Sequence, residues 1–441
     1  MSTSHHRIPR NVIALGFVSL FTDVATEMIY PLLPIFITIL GSGAIMLGII
    51  EGVAETTSSL LKFVSGYISD KTGKQKPMIV FGYALSSFLR PLMGLATSGW
   101  QIVAIRMSDR IGKGVRTVPR DSLIALSTPE QIRGKAFGFH RAMDHTGAVL
   151  GPLLSVFTLA ALIIFLGITE LSTLLRITFL MAILPGLLAM GTLILYVRNQ
   201  NAGADHQKNL SFSLKDFNKN FRKYLGVIAL FALGNSSDAF MLFRIQETFK
   251  ESDILQDLIL GNPLMQSLTA SISDPELGKT ISGVFLLPLI WAYFHIIKAI
   301  LSTPLGSLSD RIGRKVVINI GWGIYAAVYV GFAILDQFPD GWQIAVAFLL
   351  FSLYAVYYAF TEGAEKALIA DLVPPHLSGR AFGLYHFSIG MVALPASVLF
   401  GIIYSLLGAS FAFSFGAAIA LAAMTLLAFG ISAKPIAAES E

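Results

Sequence analysis

The sequence predicts an all-α membrane protein with twelve transmembrane helices in two related halves. Three observations support this prediction: the composition is strongly apolar, the apolar runs are long enough to cross a bilayer, and two motifs recur in the second half. Of the 441 residues, 54% are hydrophobic and only 13% are charged, whereas soluble globular proteins carry about a quarter charged residues. We therefore expect lipid to surround most of the protein surface.

The apolar runs have the length of membrane-spanning helices. A helix needs about 20 residues to cross the hydrocarbon core, whereas a barrel strand needs about half that number and alternates in polarity. The runs here are roughly 20 to 30 residues long and do not alternate. We predict spans at residues 11–40, 44–69, 77–97, 100–126, 134–165, 172–197, 224–249, 280–307, 315–335, 342–372, 379–406 and 408–431.

Basic residues concentrate in one set of connections between the spans. The opposite connections are nearly free of charge at 41–44 and 97–99, or acidic at Asp336 and Asp340. The basic set comprises Arg7, Arg10, Lys71, Lys74, Lys76, Arg133, Lys135, Arg198, Lys208, Lys215, Lys219, Arg222, Lys223, Arg311, Arg314, Lys315, Arg380 and Lys434. By the positive-inside rule, these loops and both termini are predicted to be cytoplasmic. The pI near 9.2 then reflects membrane topology, and we expect no nucleic-acid partner.

Two polar or irregular stretches divide the predicted helices. Residues 199–223 are predicted to form a cytoplasmic linker with an amphipathic helix, which separates an N-terminal bundle (1–198) from a C-terminal bundle (224–441). Residues 250–279 are longer than a simple connection and partly apolar, and we interpret them as a periplasmic insertion. A helical hairpin or cap and a disordered insertion are both open interpretations.

Two ordered sequence matches indicate an internal repeat. Residues 66–74 (GYISDKTGK) match 306–314 (GSLSDRIGR), and residues 122–138 align with 367–383. Both copies of the first motif end an even-numbered span and enter a basic loop. Internal repeats are typical of secondary transporters, whose substrate sites lie between the repeats near the middle of the membrane.

These motifs resemble the major facilitator superfamily. Its signature after the second helix is Gly-x-Leu-x-Asp-Arg-x-Gly-Arg-Arg/Lys; the second copy fits closely, and the first carries Ile68 and Lys71 in place of Leu and Arg. The resemblance implies two six-helix bundles that rock around a central site for a small-molecule substrate, without fixing that substrate. We interpret the motif as a latch that holds one conformer, although it could serve topology alone. The predicted latch residues are Gly66, Asp70, Gly73, Asp310, Arg311 and Gly313.

Charged residues inside the predicted spans are the main functional signal. Such residues are costly in a bilayer and usually mark a substrate or ion pathway. Spans one, two, four and five carry nearly equal numbers of acids and bases, so we predict a paired network around a polar cavity. The alternative is that the pairs only hold helices together. The predicted cavity residues are Asp23, Glu27, Glu51, Glu55, Arg110, Lys113 and Arg116.

Two features bear on coupling and substrate charge. The run from Arg110 to Gly114 partly resembles the fourth-helix pattern of the family, which is linked to proton coupling. Lys113 and Arg116 depart from that pattern, since uncharged residues are usual there, and this departure indicates an anionic or zwitterionic substrate. His140 and Asp144 are four residues apart and are interpreted as a proton relay; alternatively, His140 simply bonds a neighbour.

Further motifs suggest direction and gating. Gly147, Gly151 and Pro152 form a Gly-x-x-x-Gly-Pro element that resembles the exporter branches of the superfamily, so export is favoured. In the repeat alignment Arg120 falls on Glu365, a reversal of charge. We predict that Arg120 meets Glu365 across the pseudo-two-fold axis when the cytoplasmic side closes, and Glu362 is a further predicted gating residue.

The resulting hypothesis is a proton-coupled secondary transporter of a small organic solute in a bacterial inner (plasma) membrane, acting as a monomer in the lipid bilayer. The alternative is a proton-coupled importer of an anionic metabolite or metal chelate. A membrane receptor or enzyme is a remote alternative, because the sequence contains no cysteine, no P-loop and no His-Glu-x-x-His motif. We expect no cofactor and no bound metal.

Overall fold

Helices and their connecting turns make up the structure throughout the ranges that it describes. The computed structural model describes residues 8–129, 132–200, 213–251, 275–374 and 377–431, and no strand occurs within them. Eleven helical segments in these ranges are long and apolar enough to cross a membrane. A twelfth helix, Gly99–Leu126, has 28 residues but a more charged sequence. The all-α prediction with twelve membrane helices is confirmed.

The first half contains six spans, of which the first and the sixth are interrupted. A short 3₁₀ turn at Tyr30–Leu32, with a proline at its first or second position, breaks the first span; proline lacks the N–H that a continuous helix would use. The helices are α1 (Arg10–Glu27), α2 (Leu33–Ile39), α3 (Ala44–Thr72), α4 (Gln75–Leu89), α5 (Gly99–Leu126), α6 (Arg133–Leu166), α7 (Leu171–Met181) and α8 (Ile183–Tyr196).

The second half repeats the arrangement, and its first span is broken at residues 235–238. Every span agrees with its predicted position, and the largest differences are of five residues, as at Lys219 against the predicted 224. The helices are α9 (Lys219–Gly234), α10 (Ala239–Glu251), α11 (Pro275–Ile312), α12 (Arg314–Ala333), α13 (Asp340–Leu372), α14 (Ser378–Leu407) and α15 (Ala409–Gly430).

The two irregular stretches are only partly described. Residues 201–212 and 252–274 lie outside the described ranges, and with them about half of the predicted linker and most of the predicted insertion. The described part of the linker before Lys219, residues 213–218, forms turns and not the predicted amphipathic helix. The last residues of the predicted linker belong instead to α9, because Phe221 and Tyr224 are fully buried and extend its apolar face. Asn218 caps this helix by accepting a hydrogen bond from the Phe221 N–H at 2.8 Å.

The outer surface and the interior differ in polarity in the way that a bilayer requires. Large apolar side chains are exposed on the outside of the bundle, including Phe157 (68% exposed) and Phe429 (88% exposed). Charged side chains such as Arg106 and Asp109 are instead buried between helices. Lipid tails are as apolar as these outer side chains, so the exposed apolar surface is expected for a membrane protein.

Two motif glycines occupy backbone conformations that other residues rarely adopt. Gly73 ends α3 with φ of 62°, and Gly313 precedes α12 with φ of 95°. Glycine adopts positive φ without the steric penalty that a Cβ atom brings. These glycines therefore have a structural role at the tight turns, independent of any latch.

Gly151 lies at a close approach between α6 and α1. A Cβ atom at this position would lie 2.7 Å from the Glu27 Cβ atom, so Gly151→Ala should force the helices apart and cost about 1–3 kcal/mol. We predict a lower midpoint of thermal unfolding for the detergent-solubilised protein. The matched control is Gly138→Ala in the same helix, where the added methyl group meets open space. Equal shifts for the two variants would contradict the close approach.

Candidate functional site

A cavity of about 480 Å³ lies between the two halves of the protein. The predicted cavity residues come from α1, α3 and α5, and the structure places all of them on its lining: Asp23, Glu27, Glu51, Glu55, Arg110, Lys113 and Arg116. Second-half lining residues come from the break between α9 and α10, and from α11, α13 and α14. The charges are therefore gathered at the interface of the repeats, while their functional role stays a prediction.

Some of the buried charges form direct ion pairs within the first half. Arg90 Nη2 lies 2.7 Å from Asp109 Oδ1, and Arg106 Nη2 lies 2.6 Å from Glu51 Oε1. All four side chains are less than 10% exposed. A buried charge needs such a partner, because removing it from water is otherwise very costly. These pairs join α5 to its neighbours, and their four charges are neutralised within the protein, so they contribute little to binding a charged solute.

Arg110 and Lys113 differ from these pairs. Both line the cavity, and neither forms an ion pair with a carboxylate in the described part of the chain. Arg110 is only 9% exposed, and its Nε atom is buried without a hydrogen-bond partner. These two bases, three residues apart on one helix, are therefore available to an anionic group within the cavity.

Arg116, the third base of this helix, is held by its own half. Its Nη1 atom donates to the Gly82 carbonyl oxygen at 3.3 Å and to Ser86 Oγ. Its guanidinium group also lies 4.4 Å from the centroid of the Tyr83 ring. Arg116 therefore contributes positive charge to the cavity wall but has fewer free donors than Arg110.

The wall formed by the second half is more aromatic. Asp238, at the helix break, accepts hydrogen bonds from the hydroxyl groups of Tyr354 at 2.5 Å and Tyr358 at 3.2 Å. Tyr358 and Trp291 also line the cavity. Asp238 therefore has its hydrogen-bond partners within the second half.

Hydrogen bonds connect the two halves at one side of the cavity. Trp291 Nε1 donates to Glu27 Oε2 at 2.7 Å, and Ser237 Oγ donates to Glu51 Oε2 at 3.2 Å. The Tyr30 hydroxyl lies 3.3 Å from Ser237 Oγ. Glu51 is seven residues past the start of α3, about 10 Å along the helix, so these contacts lie towards the end opposite the basic loops.

A cluster of charges joins the halves nearer the basic loops. Arg141 Nη2 of α6 lies 3.0 Å from Glu362 Oε1 of α13. Lys298 Nζ of α11 lies 3.3 Å from the other Glu362 oxygen. Glu362, one of the predicted gating residues, therefore contacts the first half in this conformation through Arg141.

The predicted contact between Arg120 and Glu365 is not formed in this structure, where both residues are described. Arg120 Nη2 pairs with Asp121 at 2.8 Å. Glu365 is buried and accepts hydrogen bonds from Trp322 Nε1 at 3.1 Å and from the Tyr385 hydroxyl at 2.7 Å. Each charge is thus satisfied within its own half, and their meeting in another conformer stays a prediction.

The remaining predicted residues whose side chains are described are not among the residues that line the cavity. His140 Nδ1 is 3.6 Å from Asp144 Oδ2, so the two face each other, but neither is among the residues that line the cavity. Gly66 packs against Val118, and Arg311 is exposed. The side chains of Asp70 and Asp310 lie outside the described part of the structure.

Sequence reasoning missed several residues of the site. Ser237 belongs to a polar run, residues 235–238, within an apolar span, and this run was an available sign of a helix break. Trp291 also lines the cavity, but no sequence pattern distinguishes it from the aromatic residues that pack elsewhere in the second half.

Comparison with known proteins identifies the family. The model of the Major Facilitator Superfamily matches residues 15–292 and 258–441. The chain belongs to the major facilitator superfamily. A relative in this superfamily, an uncharacterized MFS-type transporter of Methanocaldococcus jannaschii, is 32% identical over 423 residues, which cover 96% of this chain and 95% of the relative.

Two further similarities in the superfamily are more distant. The multidrug resistance protein MdtG of Proteus mirabilis is 28% identical over 155 residues, which cover 34% of this chain and 38% of that protein. The structure of a D-xylose–proton symporter matches with a TM-score of 0.65 and 16% identity, over 97% of this chain and 99% of that one. The protein is therefore a transporter of the major facilitator type with a multi-pass membrane fold.

The paired and unpaired bases should differ in their effect on stability. Replacing Arg90 with Met leaves Asp109 buried without its partner and should cost about 3–5 kcal/mol. Lys113→Met removes a base that has no ion-pair partner among the described carboxylates, so the thermal unfolding midpoint should change little. The measurement is thermal unfolding of both purified variants in the same detergent. A larger loss for Lys113→Met than for Arg90→Met would contradict this assignment of roles.

Proposed function

We propose that this protein is a proton-coupled secondary transporter of a small organic solute that carries an acid group. The observation that carries the proposal is the pair of cavity bases, Arg110 and Lys113, which have no ion-pair partner among the described carboxylates. Arginine binds carboxylate and phosphate groups through its planar set of donors, and lysine adds a point charge. An anionic or zwitterionic solute would therefore supply the missing acceptors.

The acids of the same cavity are proposed to carry the protons. Asp23 lines the cavity and forms no ion pair within the described residues. Glu55 accepts a hydrogen bond from Ser59 Oγ at 3.2 Å and is likewise without an ion pair there. Acids inside membrane transporters commonly serve as proton relays, and these two lie beside the proposed anion site.

The contacts between the halves support alternating access. A solute can shift a conformational equilibrium only by binding one state better than the other. The hydrogen bonds of Glu27 with Trp291 and of Glu51 with Ser237 hold the halves together at one side of the cavity. Binding of a solute and a proton next to them would change their strength and so the relative population of the two conformers.

Export is the favoured direction of transport. The Gly-x-x-x-Gly-Pro element of α6 packs tightly against α1, next to Glu27, and part of the chain is similar to a multidrug resistance protein. Uptake of an anionic metabolite or metal chelate is the alternative, since the same bases would suit those solutes. Transport in vesicles of both orientations distinguishes the two.

The proposal can be tested in proteoliposomes that contain a pH-sensitive dye. A panel of anionic, zwitterionic and cationic organic solutes is added to the wild-type protein, and proton movement is recorded. We expect anionic or zwitterionic solutes to move protons and Arg110→Gln to abolish the response. Asp23→Asn and Glu55→Gln should retain solute exchange but lose proton movement.

Glu170→Gln is the matched control, because Glu170 is an exposed acid outside the cavity and its loss should leave transport unchanged. A response to cationic solutes alone would contradict the proposed charge of the substrate. Full proton movement in both acid variants would contradict the proposed coupling residues.

A further inference from the structure

His295 presents an unusual feature in the wall of the second half. It lies on α11 and lines the same cavity as Arg110. Both ring nitrogens, Nδ1 and Nε2, are buried and have no hydrogen-bond partner in the described structure. A buried polar group without a partner is costly, and a histidine ring can both donate and accept. His295 therefore has hydrogen-bonding capacity that the described protein residues leave unused.

Its neighbours hold the ring in place without using its nitrogens. The ring centroid lies 4.9 Å from that of Trp291, at an interplanar angle of 90°, and 5.0 Å from that of Phe294. Trp291 is in turn hydrogen-bonded to Glu27 across the cavity, at 2.7 Å. The aromatic contacts orient the ring, so its hydrogen-bonding direction is set before any solute arrives.

Arg110 belongs to the first half, as does Glu27, the acceptor of the hydrogen bond from Trp291. It belongs to the basic groups that act electrostatically on Glu27, together with Lys113. Arg110 and Lys113 of the first half therefore lie near the Glu27 carboxylate, and His295 of the second half lies beside the Trp291 indole. Both walls of the cavity therefore carry polar atoms that have no hydrogen-bond partner in the described structure.

The other basic group of this wall is already engaged. Lys298, three residues after His295, pairs with Glu362 at 3.3 Å and lies 4.2 Å from the centroid of the Tyr358 ring. Lys298 and His145 are the basic groups that act electrostatically on His295. Because these groups are basic, an oxygen atom is a better partner for His295 than an ammonium group.

We infer that His295 is a specificity-determining residue that hydrogen-bonds a second oxygen function of the transported acid. This inference rests on the proposed function, because the acid group itself is assigned to Arg110 and Lys113. The substrate class is then a carboxylic acid that carries a hydroxyl group, a carbonyl group or a second acid group at its other end. Such a solute contacts both halves at once, whereas a plain acid contacts only the first.

The test is equilibrium binding of matched acids to the purified full-length protein. Each pair consists of a straight-chain or aromatic monocarboxylate and the same acid with a hydroxyl, oxo or second carboxyl group at the far end. Sites built to hydrogen-bond a group discriminate strongly against analogues that lack it. We expect the wild type to prefer the oxygenated member by about tenfold or more.

Substitutions separate this inference from the proposed function. His295→Phe keeps an aromatic ring but removes both nitrogens. The ratio of the affinities for the oxygenated and the plain acid should then fall close to one, while the affinity for the plain acid is unchanged. His295→Gln should restore part of the preference. Arg110→Gln should weaken binding of both members of each pair. His386→Phe, a histidine of α14 that is not among the lining residues, is the matched control.

The outcomes are distinguishable. An unchanged preference in His295→Phe would overturn the role of His295 while leaving an anion transporter in place. Failure of every acid to bind the wild type would overturn both this inference and the proposed function. Equal loss of plain and oxygenated acids in His295→Phe would reduce the residue to a structural role.

Discussion

A charged side chain at the depth of the bilayer core must be paired with an opposite charge or be reached by water. The first half of this transporter contains many such side chains, and it uses both solutions. Arg90 with Asp109, and Arg106 with Glu51, form short buried ion pairs. Arg110 and Lys113 instead face the cavity. The arrangement of the halves follows, because helices with this much charge must line the interface between them.

The two halves share a fold but differ in what fills their interiors. Aromatic packing dominates the second half. The ring centroids of Phe231 and Trp322 are 4.3 Å apart in a stacked arrangement, and those of Tyr325 and Tyr329 are 4.2 Å apart. Its buried Glu365 is held by neutral donors rather than by a base. We interpret the charged half as the source of binding and coupling groups, and the aromatic half as the more rigid wall that positions His295 and Trp291.

Much of the fold could be predicted from the sequence, because the thickness of a bilayer sets the length of an apolar helix. The repeat of the motif around Gly73 and Gly313 likewise predicted two related halves. The near balance of acids and bases predicted a paired network around a cavity. It did not predict which residues pair, because pairing depends on how each helix is rotated against its neighbours.

Residues that act across the interface were the hardest to predict. The repeat alignment placed Arg120 opposite Glu365, yet each is satisfied within its own half, and Glu362 contacts Arg141 instead. Trp291 reaches Glu27 from a distant part of the chain. Contacts of this kind arise from the packing of two bundles, and no local sequence pattern encodes them.

The central claim is that the charged interface encloses water while the outer surface faces lipid. The absence of native cysteine allows a direct measurement with single cysteines at Ala393, which lines the cavity, and at Phe157, which is exposed on the outer surface. Charged thiol reagents act on the thiolate, which forms in water. We predict that Ala393→Cys in membranes reacts many times faster than Phe157→Cys and is protected by a bound acid. Equal rates, or reaction at Phe157→Cys alone, would contradict a water-filled cavity between the halves.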